Sequence, residues 1–246
     1  FLSFAYPVFD GTEPPRSWVN YLNGYFDGVL VPCRNLKNIY ERAGVTKPIF
    51  ELPILLDLRR YSQTSVLPHK QTPYVFGWIG TFENRKNPIK IIQAFENVFG
   101  NRVDVQLRMH TRYVDHNTST GKQFKRMTNN LPANVIVSEG VKSDQEIVEL
   151  MQSFDVYVYV SQGEGYSITP RQALACGLPL VISAIPTHRD ITTLKEEDGI
   201  FWVRAETEIA AVQPSLNHQV CGKMYDIEVA DLEKALAAAY EKRELI

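Results

Sequence analysis

The sequence predicts an α/β protein in which a parallel sheet is covered by helices on both faces. Three observations lead there. Strand-like and helix-like segments alternate along most of the 246 residues. The strand-like segments are near-continuous apolar runs, as expected when both faces are buried. Several helix-like segments open or close on capping signals. Apolar residues make up 44% of the chain and charged residues 22%, an ordinary composition for a globular protein able to bury a substantial core.

The elements follow in order. "FDGVLVP" (26–32) reads as a buried strand. "RNLKNIYERAG" reads as a short helix, with Leu36, Ile39 and Tyr40 on one face and Gly44 as its stop. "KPIFELPILLDL" gives another strand and a turn, completing a βαβ-like unit within a first segment of residues 1–58. "RRYSQTSVLPHKQTP" (59–73) is polar, holds two prolines and lacks periodicity, and reads as a linker. A second unit fills 74–246. "YVFGWIG" is a strand, and "PIKIIQAFENVF" is a helix with Pro88 in its first turn. "VDVQLRMH" and "NVIVSEG" are strands on either side of a polar insertion. Ser143 and Glu146 form a capping box for the next helix. "DVYVYVS" is a strand, "PRQALACG" a helix ended by Gly177, and "PLVIS" a strand. A region of weak signal follows "AIPTHRDI", before the amphipathic helix "VADLEKALAAAYEKREL".

Composition narrows the function. A net charge of −2 gives no argument for nucleic acid or an anionic membrane as partner. Cys33, Cys176 and Cys221 are few, odd in number and far apart, which fits neither a disulfide framework nor a zinc site, so a reducing cytosol is the expectation. No apolar run approaches the roughly 20 residues of a membrane span. The chain begins at Phe1, inside what reads as a folded segment, and the expectation is a fragment of a longer protein.

In parallel sheets ligands bind beyond the carboxyl ends of the strands. Three such ends stand out: "IGTFENRKNP", "SEGV" (138–141) and "SQGEGYSITPRQ". In the last, Thr169 and Gln172 spell a T-x-x-Q capping box with Pro170 at the first helical position. A helix start there offers free N–H groups and a dipole to an anion. Gly163 and Gly165 let the backbone approach a ligand, and Glu164 between them can accept from hydroxyls. With Arg85 and Lys86 from the neighbouring loop, the set suits a sugar nucleotide, which carries two phosphates and many hydroxyls.

"SQGEGYSITPRQALACGLPLVIS" (161–183) resembles the nucleotide-sugar signature of retaining glycosyltransferases with the GT-B fold, the group that includes glycogen and sucrose synthases. The family pattern is E-x7-E, and here it starts at Glu164 and ends on Gln172 in place of the second glutamate. "YVFGWIGTFENRKNPIKIIQAF" and "NVIVSEGVKSDQEIVELMQSFDVYVYVS" resemble the preceding parts of that family's donor domain, and residues 26–58 resemble the end of its acceptor domain. The resemblance implies a GT-B type Rossmann-like donor domain over 74–246, preceded by the tail of an N-terminal α/β acceptor domain.

The resemblance implies retaining glycosyl transfer without an obligatory metal or cofactor. A UDP-, GDP- or ADP-sugar would be the donor and a glycan or lipid-linked molecule the acceptor. Lys86 falls on the family's phosphate-binding lysine, and Thr81 falls where many members carry arginine, with Arg85 as its substitute. Glu164 would face the sugar. Gly80, Thr81, Gly163, Gly165, Tyr166, Ser167, Ile168 and Thr169 would line the donor, Val141 would lie near the base, and Gln172 would meet the ribose. "PVFDGTEPPRSW" would face the cleft, with Glu13 and Arg16 on the acceptor side. A polysaccharide-biosynthesis enzyme in the cytoplasm, peripheral at the inner membrane face, is the corresponding expectation. The basic run "GKQFKRM" suits membrane contact or simply a solvated loop. His110, His116, His188 and His218 lack metal spacing and read as surface or local structural residues. A non-catalytic sugar-nucleotide-binding module and a GT-B nucleotide-sugar epimerase remain the alternatives.

Overall fold

The structure is a computed structural model of the chain and describes residues 1–62, 72–127, 130–192, 196–213 and 216–244. Its centre is a six-stranded sheet of β4 (Tyr74–Ile79), β5 (Val105–Thr111), β6 (Val135–Glu139), β7 (Val156–Tyr159), β8 (Leu180–Ser183) and β9 (Ile200–Val203). All neighbouring strands run parallel, in the order β6-β5-β4-β7-β8-β9. Side chains alternate across the pleat, so each strand serves two cores. Phe76, Trp78, Val156 and Val158 face a core closed by α4 (Pro88–Phe99) and α9 (Val229–Glu241). Val75, Ile79, Tyr157 and Tyr159 face the other, closed by α6 (Asp144–Gln152) and α7 (Ile168–Ala175). Gly77 is required where a Cβ would overlap the Phe154 ring.

The expected elements are present, and the Ser143–Glu146 capping box starts α6. The polar insertion carries a helix of its own, α5 (Ser119–Met127), so the basic run read as a loop is helical. A separate three-stranded parallel sheet is formed by β1 (Phe4–Ala5), β2 (Gly28–Val31) and β3 (Ile49–Glu51), with α1 (Arg16–Tyr25) and α2 (Arg34–Arg42). Leu36, Ile39 and Tyr40 of α2 are buried in its core, as the periodicity implies.

One expectation needs correction. The linker was expected from Arg59, but Leu58–Ser62 form α3, and Tyr61 packs into the core beside α7. Residues 63–71 of that expected linker lie outside the described residues. The region of weak signal holds β9 and an antiparallel hairpin, β10 (Thr207–Gln213) and β11 (Gln219–Asp226). Among the described residues no helix is long and apolar enough to cross a membrane.

Candidate active site

The strand order sets the position of the site. From β4 the chain moves outward through β5 to β6, then returns to the other side of β4 for β7, β8 and β9. The carboxyl ends of β4 and β7 therefore flank the crevice where ligands bind in such sheets. The loop after β4 carries Arg85 and Lys86, and the loop after β7 carries Glu164.

The β4 loop is rigidly built. Beyond Gly80 and Thr81 the chain makes a 3-10 turn over Asn84–Lys86 and leaves it through Asn87 at φ 53°. Asparagine tolerates that left-handed conformation better than most residues. The Asn87 amide donates to the Val160 carbonyl (2.9 Å) and to Asp226 Oδ1 (3.1 Å). The Gln162 N–H donates to the Arg85 carbonyl (2.8 Å). These bonds tie the loop to the end of β7 and to the hairpin.

Arg85 and Lys86 converge on one oxygen. Glu164 Oε1 accepts from Arg85 Nη1 (2.8 Å), Lys86 Nζ (2.5 Å) and the Tyr159 phenol (3.1 Å). Arg85 also donates to the Gly163 carbonyl (2.7 Å). Only 7% of the Glu164 side chain is exposed. Burial alone would raise its carboxyl pKa, but the Lys86 ammonium and Arg85 guanidinium outweigh burial and hold it at about 2. Glu164 is therefore ionised at neutral pH, and the two cations balance it.

The loop leads into α7 through Ser167, whose φ is 58°. That backbone is uncommon outside glycine and is held by its surroundings. Ser167 Oγ lies 3.0 Å from His188 Nε2, and His188 Nδ1 lies 2.8 Å from the Ser183 carbonyl. His188, on α8 (Pro186–Arg189), is fully buried, and burial pushes its pKa down to about 4. The neutral ring thus braces the helix start. The expected T-x-x-Q capping box is not formed. Ser167 occupies the cap position without a side-chain bond to the helix backbone, and the Gln172 amide donates instead to the Tyr61 phenol of α3 (2.8 Å). A tertiary partner has replaced the local one.

Other candidates are placed less centrally. Gly163 and Gly165 leave room, but the chain's own backbone fills it: a Cβ on Gly163 would lie 2.5 Å from the Asp10 carbonyl, and one on Gly165 would press on Val8 and Phe9. Tyr166 is buried, and its phenol donates to the Ile54 carbonyl (3.2 Å). The Gly80 N–H donates to the His110 carbonyl, and Thr81 is exposed. Ile168 is exposed at the start of α7, with Thr169 half-buried behind it. Val141 is exposed in the loop after the edge strand β6. Arg16 donates to the Ala43 carbonyl at the end of α2, and exposed Glu13 meets the hairpin through its backbone N–H. Neither reaches the cluster.

Asp10, within the segment expected to face the cleft, joins the cluster together with Tyr159 and His188, beyond the expected donor set. Asp10 Oδ1 accepts from the Gly165 N–H (2.9 Å), and Oδ2 lies 3.3 Å from Arg85 Nη2. Tyr159 looked like one more apolar strand position. His188 follows β8, and its place at the carboxyl end of a parallel strand was the available signal. Among the described residues no group of His, Cys, Asp and Glu is arranged to hold a metal ion.

The fold recurs among solved structures. HepE of Anabaena in complex with UDP superposes with a TM-score of 0.72 at 14% identity, covering 97% of this chain and 62% of that one. Sucrose-phosphate synthase from Thermosynechococcus elongatus gives 0.67 at 17%, covering 93% and 52%. WaaG, a glycosyltransferase involved in lipopolysaccharide biosynthesis, gives 0.62 at 14%, covering 88% and 54%. The chain thus spans about half the length of the structures it matches. The expected GT-B type α/β fold is the one observed. No curated protein sequence matches the chain. The family described as glycosyl transferases group 1 matches residues 61–218, the span from Tyr61 of α3 into the β10–β11 turn that includes Arg85, Lys86, Glu164 and Gln172. The chain belongs to the glycosyl transferases group 1 family.

Proposed function

We propose that the protein contributes to a retaining glycosyltransferase that moves a sugar from a nucleoside diphosphate donor to a glycan or lipid-linked acceptor. The observation that carries this reading is the meeting of Arg85, Lys86 and Glu164 at the β4–β7 crevice, beside the start of α7. As the glycosidic bond breaks, negative charge grows on the leaving diphosphate. Arg85, Lys86 and the free N–H groups of α7 are aligned to neutralise it, so the reading needs no bound metal. Glu164, ionised and buried, faces the sugar and steadies positive charge at the anomeric carbon. Its carboxylate engages both cations, so donor binding exchanges these partners for the diphosphate. Gly80, Thr81, Ser167, Ile168 and Thr169 complete the donor contacts, and Gln172 reaches the ribose. The family membership and the neighbours crystallised with UDP, HepE among them, support a nucleotide-sugar donor.

The test is release of nucleoside diphosphate from UDP-, GDP- and ADP-glucose by the wild-type chain and by Glu164→Gln. We expect turnover with one donor and a loss on the order of 100-fold in the variant, as for removal of one preorganised electrostatic group. Turnover unaffected by the substitution would remove Glu164 from the chemistry.

A further inference from the structure

Residues 8–13 leave β1 and cross to the six-stranded half of the molecule, where they lie between two loops. On one side is the buried loop 161–167, and on the other is the hairpin β10–β11. The contacts are made by backbone at very close range. The Thr12 hydroxyl accepts from the Lys223 N–H (2.8 Å), and the Glu13 N–H reaches the Cys221 carbonyl (3.3 Å). Tyr225 on the same hairpin donates its N–H to the Gln162 carbonyl (2.8 Å), which links the hairpin back to the loop. Four glycines from three separate segments make this packing sterically feasible. A Cβ on Gly11 would lie 2.5 Å from the Cys221 carbonyl, and one on Gly163 would lie 2.5 Å from the Asp10 carbonyl. Added carbons on Gly165 and Gly222 would overlap Val8 and Thr12. Tyr166 and Cys221 are buried in the core of the three-stranded sheet. The seam is therefore built into the fold rather than being a casual contact.

One charged side chain passes from this seam into the cluster. Asp10 presents Oδ1 to the Gly165 N–H and Oδ2 to Arg85 Nη2, while Arg85 Nη1 holds Glu164. One guanidinium thus binds two carboxylates, Asp10 of segment 8–13 and Glu164 of the β7 loop. We propose that Asp10 is a positioning residue: it fixes the loop that carries Glu164 and balances the Arg85 charge until a donor diphosphate takes its place. The proposal rests on the functional reading above and adds a residue from the acceptor-side wall to it. Asp10 touches neither sugar nor leaving group. It acts through Arg85 and through the backbone next to Glu164. Its carboxylate competes with the diphosphate for Arg85, so its removal strengthens binding of the free nucleotide. The same removal loosens the loop and slows turnover. A side chain of purely structural importance would lower both together.

The experiment compares wild type with Asp10→Asn and Asp10→Ala. Calorimetry with UDP, GDP and ADP gives affinity, donor-sugar hydrolysis at saturation gives kcat, and thermal melts report folding. Both variants should bind the nucleoside diphosphate about three- to tenfold more tightly, the scale of one partly exposed ion pair. The kcat of Asp10→Ala should fall at least about tenfold, as expected when a supporting contact to a catalytic group is lost, and that of Asp10→Asn should fall less. Asn keeps an acceptor for the Gly165 N–H and should retain the wild-type melting temperature. Affinity and kcat that stay at wild-type values, or that fall in step with the melting temperature, would overturn the proposal. Amide hydrogen exchange over 163–167 tests it without any donor: Asp10→Ala should raise exchange at Gly165, and unchanged protection would equally overturn it. If the wild type neither binds nor hydrolyses any donor, the functional reading fails by itself, and the exchange result still decides the role of Asp10.

Discussion

Glu164 keeps its charge in a buried position because two cations reach the same oxygen. Removing one partner of a buried ion pair costs roughly 3–5 kcal/mol when the other is stranded, and less where a second cation remains. Lys86→Ala leaves Arg85 in place, so a loss of about 2–3 kcal/mol in urea-unfolding stability is expected. A neutral effect would mean that Glu164 is not buried as described. The pH dependence follows from two groups. Glu164 has a lowered pKa, so its contribution is present above about 4.5 and is lost as pH falls toward 2. His188 is depressed from 6.5 to about 4 by burial, so the unfolded chain takes up a proton first. Stability should therefore decline as pH drops from about 6.5 to 4, by up to about 3 kcal/mol from this ring. Ser161, Ser167, Ser183 and the Tyr159 ring touch the ring, and the charges of Glu164, Lys86 and Arg171 act on it. Denaturant unfolding at pH 7, 5.5 and 4.5 should show the decline in wild type and a shallower one in His188→Gln. Gln172 donates to Tyr61, and a carboxylate there could instead accept from that phenol, so Gln172→Glu should fold normally. If Gln172 meets the ribose, this change should tighten nucleotide binding about three- to tenfold by making the bond charge-assisted. Equal affinities by calorimetry would assign Gln172 to α3 alone.

At the scale of elements, the strands were legible where both faces are buried. "YVFGWIG", "DVYVYVS" and "PLVIS" are continuous apolar runs because each serves two cores, and they became β4, β7 and β8. Arg85, Lys86 and Glu164 were legible for a related reason: their loops follow strands that share one edge of the sheet. The hairpin β10–β11 was not legible. Its strands are half-exposed, and their inward positions are few and mixed: Ala211, Cys221 and Met224. Their partner is a segment about 200 residues earlier in the chain, which no local pattern encodes. The capping box failed for a comparable reason, since Tyr61 lies 111 residues from Gln172. The hairpin's fit predicts that Gly11→Ala, which overpacks the Cys221 carbonyl, should lower stability by about 1–3 kcal/mol. Nucleotide affinity should stay near wild type, because the added carbon meets Cys221, Phe9 and Ala211 rather than the β4 or β7 loops. A large loss of affinity without a loss of stability would place the hairpin in the donor site itself.

Across the whole molecule, two parallel sheets meet at a seam beside the point where the larger sheet reverses its strand order. The larger sheet supplies both cations, the ionised carboxylate and the helix start. The smaller one supplies Asp10 through the glycine-lined segment 8–13. Under the proposed function, this division would place recognition of the diphosphate on one half and control of loop geometry on the other. The central claim is that the β4–β7 crevice binds a nucleoside diphosphate through Arg85 and Lys86. Calorimetric titration of wild type and Lys86→Ala with UDP, GDP and ADP tests it most directly, at a temperature where both proteins are folded. The account predicts that at least one nucleotide binds the wild type and that Lys86→Ala weakens this binding by about tenfold or more, as for loss of a charge-assisted contact. Binding of equal strength in both proteins, or no binding of any of the three, would contradict it.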